Sequence, residues 1–525
     1  MRHYGWKSKP QNIVFVAAFL LSSGAGTFEA ATAGSRPLSE HAAALRFSNM
    51  TKQAGISYPN TPSYGVIALD AERDGAIELI LNRHKRRAQF YTWTGERFRE
   101  RHKTAIQRIP PGRSYYDRHS CVWGEATGDG RLDLYCASGA KGGLGTGANQ
   151  LLVARGDGWR NEAWGRRVTD RFGRGRSVNW IDYDGDLDLD LFVANEVRLG
   201  YPNTLFRNSA GRFERDLDAG LSRTMPSASS AWSDWDNDGD PDLVVAASRA
   251  GGGAVAFRND DGRFSMADLA GVTGVPSVSA VFGDFNGDGW TDLHLVSQER
   301  SMILENTGGT FSMVDERPVR NGRASVWFDV DNDRDLDAAV VQGAHAKDGF
   351  QVGRDRADFL LVNTDGAFRA SPRPLLASVR GSGDALAAAD YDRDGRVDLY
   401  VANGYQETRG RPVLLRNTSD AAGWVALRLL GADSNPLAFG ARVTVTVDGV
   451  ARRMEVTDGA ATRAQVDLER LHFGVGDGRY ANVRVDWPDG TSDCVIALEG
   501  RETRIEKGIL PCRLIPLGVE APAEG

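Results

Sequence analysis

The sequence of 525 residues contains none of the short motifs that mark the common catalytic sites. It has no nucleophile elbow of the Gly-x-Ser-x-Gly type, no His-Glu-x-x-His helix, no phosphate-binding loop and no dinucleotide-binding fingerprint. The glycine-rich stretch 139–147 lacks the Gly-Lys-Ser/Thr order of a phosphate-binding loop, and we interpret it as a connection between strands. These absences exclude the best-known hydrolase, nucleotide-binding and metalloprotease sites.

Long hydrophobic runs are also scarce, and only the N-terminus has one. Basic residues precede the apolar run Ile13–Leu21, and Ala31-Thr-Ala33 offers small residues for a cleavage site. This is the three-part pattern of a secretory signal peptide, predicted over residues 1–33, and the run is too short to span a bilayer. An uncleaved N-terminal anchor is the alternative. We expect a protein that is secreted, periplasmic or at the cell surface, with no transmembrane segment after cleavage.

Aspartate, in contrast, is abundant and follows a fixed pattern. The clearest copy is Asp234-Trp-Asp-Asn-Asp-Gly-Asp-Pro-Asp242, with carboxylates at positions 1, 3, 5 and 9 and glycine at position 6. Alternate residues of a tight loop point inward, and Gly239 permits the positive φ that returns Asp242 to the same point. Four hard oxygen donors suit Ca²⁺. Position 12 is Val245 and a strand follows, so the pattern predicts a calcium loop in a β-hairpin and not an EF-hand.

The same nine-residue frame occurs seven times, and we number these loops one to seven. The predicted ligands are Asp70, Glu72, Asp74 and Glu78 in loop one, Glu125, Asp129 and Asp133 in loop two, Asp182, Asp184, Asp186 and Asp190 in loop three, Asp234, Asp236, Asp238 and Asp242 in loop four, Asp284, Asn286, Asp288 and Asp292 in loop five, Asp329, Asp331, Asp333 and Asp337 in loop six, and Asp390, Asp392, Asp394 and Asp398 in loop seven. A repeat of about 50 residues with short strands in each period indicates a β-propeller of seven blades.

The seven loops differ in how closely they keep the pattern. Leu187 and Arg334 replace glycine at position 6 of loops three and six, and Thr127 replaces a carboxylate in loop two. Loops four, five and seven keep glycine and a full set of oxygen donors, so we expect them to bind Ca²⁺ most tightly, and loops one and two most weakly. Seven bound ions would change the formal net charge from −7 to +7. The acidity is therefore better explained by ion binding than by an acidic partner surface.

Other landmarks recur in each period. A Leu-x-x-Asn-like sequence ends the third strand, and Gly-x-Phe opens the fourth. An aromatic residue often lies two positions before the first loop acid: Trp123, Trp180, Trp232, Phe282 and Trp327. This fixed place predicts packing between blades, with a stacking platform for sugars as the alternative.

The seventh repeat lacks its fourth strand. No Gly-x-Phe follows Asn417, whereas Phe47–Ile56 resembles the fourth-strand sequences that begin at Phe213 and Phe264. Residues 45–56 are therefore predicted to complete the last blade, which closes the ring and removes its sheet edges.

These sequences resemble known families. The repeats, which read Asp-x-Asp-x-Asp-Gly-x-x-Asp-Leu between short strands, resemble the FG-GAP/VCBS propellers, including those of integrin α-chains. The segment from about Trp424 to Lys507 resembles the ASPIC/UnbV domain, through sequences such as His472-Phe-Gly-Val-Gly476. Together they resemble secreted proteins of the cartilage acidic protein type. The fold implied is all-β, with a seven-bladed, calcium-binding, integrin α-like propeller over residues 34–420, a small β-rich domain over 421–508 and a tail over 509–525.

Cysteine is rare, with four residues in the chain. Cys121 and Cys136 flank loop two, so a hairpin would place them nearly opposite one another. Cys494 and Cys512 remain as a C-terminal pair. In an oxidising compartment these positions predict the disulfides Cys121–Cys136 and Cys494–Cys512, with four reduced thiols as the alternative.

The propeller face opposite the loops is predicted to carry a positive balance of charge. Its candidates for ligand contact are Arg118, His119, Lys141, Arg176, Arg249, Arg323, His345 and Arg380. Such a surface is either an anion-binding mouth or ordinary solvated surface.

Two classes of function follow from these predictions. The first is an exported module, stabilised by structural Ca²⁺, that binds an extracellular protein, glycan or anionic ligand. The second is a Ca²⁺-dependent polysaccharide lyase or hydrolase, for which Arg118, His119, His345 and Tyr405 would have to meet in one pocket. We expect a monomer that binds no nucleic acid.

Overall fold

The computed structural model describes residues 45–56, 63–83, 88–101, 118–139, 148–156, 158–196, 200–248, 252–343, 358–371, 383–403, 411–458 and 464–512. Its regular elements within these ranges are β-strands, with no α-helix among them. The same ranges hold no helix that is long and apolar enough to cross a membrane. The fold class is all-β, as predicted. The predicted signal peptide, residues 1–33, lies outside the described residues.

Most of the strands form four-stranded antiparallel sheets, which we call blades. Blades one to three consist of β2 (Ser63–Leu69), β3 (Glu78–Arg83), β4 (Gln89–Trp93) and β5 (Phe98–Glu100); β6 (Arg118–Gly124), β7 (Asp133–Ser138), β8 (Gln150–Arg155) and β9 (Gly158–Asn161); and β10 (Gly175–Ile181), β11 (Asp190–Asn195), β12 (Thr204–Ser209) and β13 (Arg212–Arg215). Blades four to six consist of β14 (Ser227–Ser233), β15 (Asp242–Ala247), β16 (Val255–Asp260) and β17 (Arg263–Ala267); β18 (Ser279–Gly283), β19 (Asp292–Val296), β20 (Arg300–Thr307) and β21 (Thr310–Pro318); and β22 (Gly322–Phe328), β23 (Asp337–Gln342), β24 (Phe359–Val362) and β25 (Arg369–Ala370).

Blade seven is assembled from both ends of the propeller sequence. It contains β26 (Gly383–Ala389), β27 (Asp398–Asn403) and β28 (Val413–Asn417), and its outer strand is β1 (Phe47–Asn49). The pairing of β1 with β28 is antiparallel, with Phe47 opposite Asn417 and Asn49 opposite Leu415. The first strands of neighbouring blades contact one another, and β2 also contacts β26. The ring of seven blades is therefore closed, and the strand predicted to close it does so.

The aspartate loops are the turns between the first and second strands of the blades. In blade four Trp232 pairs with Leu243 and Ser233 pairs with Asp242, so loop four begins directly after β14 and ends on the first residue of β15. The burial of both strands explains their apolar sequences, because neighbouring blades cover both faces of each sheet. All seven loops consequently lie on one face of the ring, which we call the loop face.

The aromatic residues before the loops pack between blades. Trp123, Trp180, Trp232 and Trp327 are buried, with no more than 6% of any one exposed. The indole Nε1 of Trp180 donates to the carbonyl of Val122 in the preceding blade at 3.4 Å. Gly124 makes room for this ring, because a Cβ there would lie 2.4 Å from Trp180 Cδ1. These four residues serve the contacts between blades and are not exposed for sugar stacking.

The C-terminal region forms two further sheets. Its strands are β29 (Gly423–Leu430), β30 (Arg442–Val447), β31 (Val450–Glu455), β32 (Ala464–Val466), β33 (Leu471–Gly476), β34 (Tyr480–Asp486), β35 (Ser492–Leu498) and β36 (Arg501–Glu506). One sheet has the order β33-β29-β36 and the other has the order β31-β30-β34-β35. Apolar side chains of both sheets, such as Leu427 and Val483, form the core of this domain together with Phe439 from the connection between β29 and β30.

The remaining strand, β32, leaves the C-terminal domain and joins the propeller. It pairs in parallel with β26, the first of the propeller strands of blade seven, with Ala464 opposite Leu386 and Val466 opposite Ala388. A cavity of about 140 Å³ lies beside it, lined by Ala280 and Val326 from other first strands and by Val466. The C-terminal domain therefore places a strand against the inner wall of the ring.

Both predicted disulfides are present. Cys121 and Cys136 are paired residues of β6 and β7, with Cα atoms 4.0 Å apart. Cys494 in β35 is bonded to Cys512, with Cα atoms 4.8 Å apart. The second bond ties the start of the predicted tail, 509–525, to the C-terminal domain. Residues 513–525 lie outside the described part of the chain.

Candidate metal centres

Each loop takes its shape from residues with positive φ and from its own first acid. In loop four, Asp234 accepts the N–H groups of Asp238 at 3.0 Å and Gly239 at 2.9 Å. Gly239, at position 6, has φ of 109°, as the sequence predicts. Asn237, at position 4, also has positive φ, which the sequence reasoning missed. Two left-handed residues per loop turn the carboxylates at odd positions toward one point.

Position 6 adopts the same backbone region where glycine is absent. Leu187 in loop three has φ of 69°, and Arg334 in loop six has φ of 87°. Residues with a Cβ rarely adopt this conformation, which costs roughly 1–2 kcal/mol relative to the right-handed region. Loops three and six therefore keep the fold of the pattern despite losing its glycine.

Four of the seven loops bring three carboxylates together. In each set, one oxygen per residue lies within 4.8 Å of the others. The sets are Asp182, Asp184 and Asp190; Asp234, Asp236 and Asp242; Asp329, Asp331 and Asp333; and Asp390, Asp392 and Asp398. These loops could each hold a metal ion through hard oxygen donors.

Buried oxygens without hydrogen bonds indicate that loops three, four and seven fit a cation. Within the described part of the chain, no hydrogen-bond partner is found for Oδ1 of Asp184, Asp236 or Asp392, each at position 3. The same holds for Oδ2 of Asp242 and of Asp398 at position 9. An unpaired buried carboxylate oxygen is costly, and a bound cation would satisfy several of them at once.

Electrostatics lead to the same conclusion. Burial, reinforced by neighbouring carboxylates, raises the pKa of Asp190 to about 9 and that of Asp242 to about 8. Burial and the charges of Asp331 and Asp329 raise the pKa of Asp337 well above its ordinary value. These shifts mean that the charged carboxylates lack compensating positive charge where they lie.

The other three predicted loops form no such set among the described residues, and each has a visible reason. In loop two, position 3 is Thr127, which offers no carboxylate. In loop one, Glu72 is ion-paired with Arg101 at 2.5 Å. In loop five, the Asn286 amide donates to Glu305 at 3.1 Å. Position 3 thus carries a longer or neutral side chain in loops one, two and five, whereas it carries aspartate in the other four loops.

Arginines from the third strands partly neutralise the clusters, which the sequence reasoning did not predict. Arg258 lies 2.8 Å from Asp236 and 3.0 Å from Asp238. Arg207 in blade three and Arg416 in blade seven occupy the same position beside their own loops. The signal was the repeated Arg-Asn pair at the end of the third strand. Each arginine contacts Oδ2 of the residue at position 3, so Oδ1 stays available to an ion.

The asparagine that follows this arginine fixes position 9 and joins neighbouring blades. The Asn259 N–H donates to Asp242 at 2.7 Å, and the Asn259 amide donates to the Tyr183 carbonyl of the preceding blade at 2.9 Å. Asn306, Asn363 and Asn417 make equivalent bonds. The Leu-x-x-Asn signature is therefore a link between blades as well as a strand end.

The C-terminal domain covers the loop face and contacts the first acid of several loops. Arg470 donates to Asp390 at 2.7 Å, and Arg428 lies 3.3 Å from Asp70. Arg442 forms an ion pair with Asp234. No pattern in the sequence predicted this cover.

The basic residues predicted for the opposite face are largely buried where they are described. Arg118 donates to Gln150, His119 lies 2.6 Å from an Arg176 nitrogen, and Arg176 forms an ion pair with Glu196. Arg323 is 4% exposed. His119 and Arg176 therefore meet between blades two and three, whereas the neighbouring Arg118 is bonded to Gln150 within blade two. Lys141, Arg249, His345, Arg380 and Tyr405 lie outside the described residues, so their meeting in a pocket stays a prediction.

Sequence families match both parts of the chain. Residues 126–193, 182–245, 234–295 and 284–340 match the FG-GAP-like repeat, and residues 431–504 match the ASPIC and UnbV domain. Cartilage acidic protein 1 of Xenopus tropicalis is 26% identical over 491 residues, which cover 83% of this chain and 71% of that protein. The Homo sapiens protein of the same name is 24% identical over 491 residues, covering 83% and 70%.

Solved structures with a similar arrangement of strands are more distant. An Agrocybe aegerita lectin that recognises non-reducing terminal N-acetylglucosamine has a TM-score of 0.41 at 14% identity, covering 69% of this chain and 90% of the lectin. YCF48 bound to a D1 peptide has a TM-score of 0.41 at 9% identity, covering 72% and 96%. Similarity at this level carries no argument about what the chain binds. The repeats, the domain that follows them and the relatives agree, and the chain is a protein of FG-GAP repeats with a C-terminal ASPIC/UnbV domain, homologous to the cartilage acidic proteins.

Proposed function

We propose that this chain is an exported, Ca²⁺-binding propeller that acts as an interaction module. The observation that supports the metal is the convergence of three carboxylates in four loops, with oxygens within 4.8 Å of one another. All of these donors are oxygens on a turn, and Ca²⁺ prefers several oxygen ligands in an adaptable geometry. FG-GAP repeats are also a family in which Ca²⁺ is common.

The proposed role of the ion is structural. When bound, it would supply positive charge that links the start, middle and end of a hairpin turn. Asp234, Asp236 and Asp242 would hold it in loop four, where Asp242 is also bonded to the third strand. Occupation of each loop would therefore stabilise a whole blade, because the loop connects its first two strands and touches its third.

Export is supported by the two disulfides, which form and persist in oxidising compartments. We place the protein outside the cell or in the periplasm for this reason. The similarity to the cartilage acidic proteins is consistent with that location.

The proposed partner is an extracellular protein, glycan or other anionic ligand that meets the face opposite the loops. The C-terminal domain covers the loop face through contacts such as Arg470 to Asp390, which leaves the opposite face and the outer rim for a partner. Binding across a face of the ring agrees with the use of concave or axial surfaces for ligand recognition.

The metal part of the proposal is tested by thermal unfolding in millimolar Ca²⁺ and in EDTA. Binding to the native state adds about 2.7 kcal/mol per site at a hundredfold excess over Kd, so several sites give a large rise in Tm. Calorimetric titration counts the ions. Equal melting curves under both conditions would rule out a structural Ca²⁺.

The partner part is tested with an array of glycans and acidic polymers, assayed for both binding and cleavage, with and without EDTA. Binding without turnover supports an interaction module. Cleavage that disappears in EDTA would replace the proposal with a Ca²⁺-dependent enzyme.

A further inference from the structure

The side chains of loop six are more buried than those of the other carboxylate clusters. Asp329 and Asp331 are each 5% exposed, and Asn332 between the proposed ligands is 1% exposed. The tip of loop three, in contrast, is exposed at Asp186 and at Leu187. The same nine-residue frame is therefore an open turn in blade three and an interior element in blade six.

Loop six also lacks the arginine that accompanies loops three, four and seven. The residue before the third-strand asparagine is Val362 in blade six, where blade four has Arg258 and blade seven has Arg416. Arg258 approaches positions 3 and 5 of its loop within 3.0 Å. Val362 carries no charge, so this source of compensation is missing where the carboxylates are most buried. A bound cation would hold the charged side chains of this buried cluster together.

An unsatisfied atom marks the centre of this cluster. Asp329 accepts the N–H of Arg334 at 2.9 Å through Oδ2. Its Oδ1 is buried and has no hydrogen-bond partner among the residues that the structure describes. Asp329, Asp331 and Asp333 each offer an oxygen within 4.8 Å of the others. The buried oxygen and the converging carboxylates both fit a bound cation.

The backbone between these ligands is the part that the C-terminal domain holds. The Asn332 amide donates to the carbonyls of Gly395 at 2.9 Å and Ala422 at 3.0 Å, and its oxygen lies 2.8 Å from His472 Nε2. The Asn332 carbonyl accepts the N–H of Gly476 at 3.1 Å. One residue therefore joins loop six to blade seven, to the linker at Ala422 and to β33.

Three further residues of loop six extend the same contact. The Asp331 carbonyl accepts the N–H of Ala422 at 2.8 Å. Arg452 of β31 donates to the Arg334 carbonyl at 2.8 Å and to Asp335 at 2.6 Å. Together with the bonds from β33, the contacts of Arg452 in β31 join loop six to both sheets of the C-terminal domain. They need loop six in its folded shape.

We propose that a Ca²⁺ ion bound by Asp329, Asp331 and Asp333 locks the C-terminal domain onto the propeller. The proposal rests on the proposed function, in which these loops bind Ca²⁺. The ion fixes the turn that carries Asn332, and the fixed turn presents the groups that Ala422, His472 and Gly476 bind. For the same reason we expect loop six to bind Ca²⁺ more tightly than the other loops. The presence of glycine at position 6 would instead favour loops four, five and seven.

Reciprocity is a necessary consequence. If the ion strengthens docking of the C-terminal domain, then docking strengthens binding of the ion by the same factor. A residue that contacts the loop without being a ligand is therefore expected to change ion affinity. Arg452 is such a residue.

The test compares two substitutions at position 3 in the full-length protein, Asp331→Asn and Asp184→Asn. Both replace a proposed ligand with a neutral side chain of the same shape, but Asp184 belongs to the exposed loop three. Native mass spectrometry counts the bound Ca²⁺ ions, and hydrogen exchange follows the N–H groups of Ala422 and Gly476. We expect each variant to lose one ion. Exchange at these two groups should rise about tenfold or more in Asp331→Asn and stay unchanged in Asp184→Asn.

The outcomes separate this inference from the proposed function. Loss of one ion in Asp331→Asn with unchanged exchange at Ala422 and Gly476 would overturn the lock and leave Ca²⁺ binding intact. A wild-type protein that binds no Ca²⁺ would overturn both. Faster exchange in both variants would show a general loss of stability, which also contradicts the lock.

A second variant keeps the test decisive if Asp331→Asn does not fold. Arg452→Lys keeps the positive charge beside Asp333 but cannot make the paired bonds to Asp335 and to the Arg334 carbonyl, and it changes no ligand. Calorimetric titration should then show weaker Ca²⁺ binding at one site by about fivefold or more, the size typical of coupling between two sites. Unchanged affinity at every site would overturn the proposal.

Discussion

Blades four and seven carry the same loop chemistry, but they are assembled in different ways. Blade four is one continuous stretch in which β14, β15, β16 and β17 pair in chain order. Blade seven has the order β1-β28-β27-β26-β32, so its outer strand comes from the N-terminus and its inner strand comes from the C-terminal domain. One blade therefore both closes the ring and ties the second domain to it.

The two blades differ in the chain entropy that their formation costs. The pairings in blade four close short loops, whereas the bond from the Arg46 N–H to Ser419 spans 373 positions of the sequence. Long closures cost more chain entropy before any contact compensates for it. Blade four can form from its own sequence, but blade seven needs both ends of the chain in place. We therefore expect the contributions of β1 and β32 to dominate the cooperativity of the fold.

Removal of the N-terminal strand should have the largest effect. Deleting residues 34–56 takes away β1 and Leu45, which packs against Val413 and Leu415, and exposes the edge of β28. An unpaired edge invites pairing between molecules, so the product should aggregate or lose cooperative unfolding. Size-exclusion chromatography and thermal melting measure both. Deleting residues 34–44, which keeps Leu45, is the control, and a 34–56 deletion that stays monomeric with an unchanged Tm would contradict the closure.

The closing strand was predictable because its signal is local and repeated. Phe47–Ile56 matches other fourth strands in sequence, and the aspartate spacing identifies each hairpin turn without any tertiary information. The predicted ligands of each loop could be identified for the same reason, since positions 1, 3, 5, 6 and 9 lie within nine residues. The arginines before the third-strand asparagines, such as Arg258, were also visible as a repeat, although their role was not inferred.

The cover on the loop face was not predictable by this route. The ion pair of Arg470 with Asp390 and the pairing of β32 with β26 join residues about 80 positions apart, with no period that relates them. Positive φ at position 4 was hidden for a different reason. Asn237, Gly287 and Arg393 all adopt it, so no single residue type marks the position.

Breaking the inner strand of blade seven is expected to have the next largest effect. Val466 packs against the core that includes Leu471 of the C-terminal domain and against the core that includes Leu386 of blade seven. A charge there would displace apolar contacts with both cores, so Val466→Asp should lower the free energy of unfolding by about 3 kcal/mol and release the C-terminal domain.

Blade four supplies the matched control for this change. Val255 in β16 is also partly buried against its core, and Val255→Asp should lower stability while leaving the C-terminal domain docked. Limited proteolysis of the segment after Asn417 distinguishes the two results. Equal protease resistance of that segment in both variants would show that β32 does not anchor the domain.

A pH dependence should follow from Asp467, which comes directly after β32. Its N–H donates to the Ala388 carbonyl of β26 at 3.1 Å. Burial raises the pKa of Asp467 to about 7, against the effect of Arg470 and together with the charges of Glu469 and Asp70. Since the pKa of this carboxyl is higher in the folded state than in the unfolded state, its protonated form stabilises the fold. This contribution to the free energy of unfolding is complete below about pH 4 and is lost as the pH rises through 7.

The measurement is urea unfolding at pH 5 and pH 8 in saturating Ca²⁺. The stability of the wild-type protein should fall over this range by on the order of 2 kcal/mol more than that of Asp467→Asn, because one pKa unit corresponds to about 1.4 kcal/mol. The variant keeps an oxygen for the Glu469 N–H, so packing is preserved. If the free energy of unfolding changes with pH equally in the two proteins, Asp467 does not contribute to the pH dependence of β32 pairing.

The smallest effect is expected at position 4 of the loops, where blades four and seven differ by one side chain. Asn237 has φ of 57° and Arg393 has φ of 59°, so both are left-handed. Asparagine tolerates this region because its short side chain bonds locally, whereas arginine does so at a cost of up to roughly 1–2 kcal/mol. Arg393 is exposed, so its replacement removes little packing. Arg393→Asn should therefore raise stability by about 0.5–1 kcal/mol, and Asn237→Arg should lower it by a similar amount. Differential scanning calorimetry in EDTA isolates the backbone effect from ion binding. A shift of the same sign in both variants would mean that side-chain contacts, and not the left-handed backbone, decide the residue at this position.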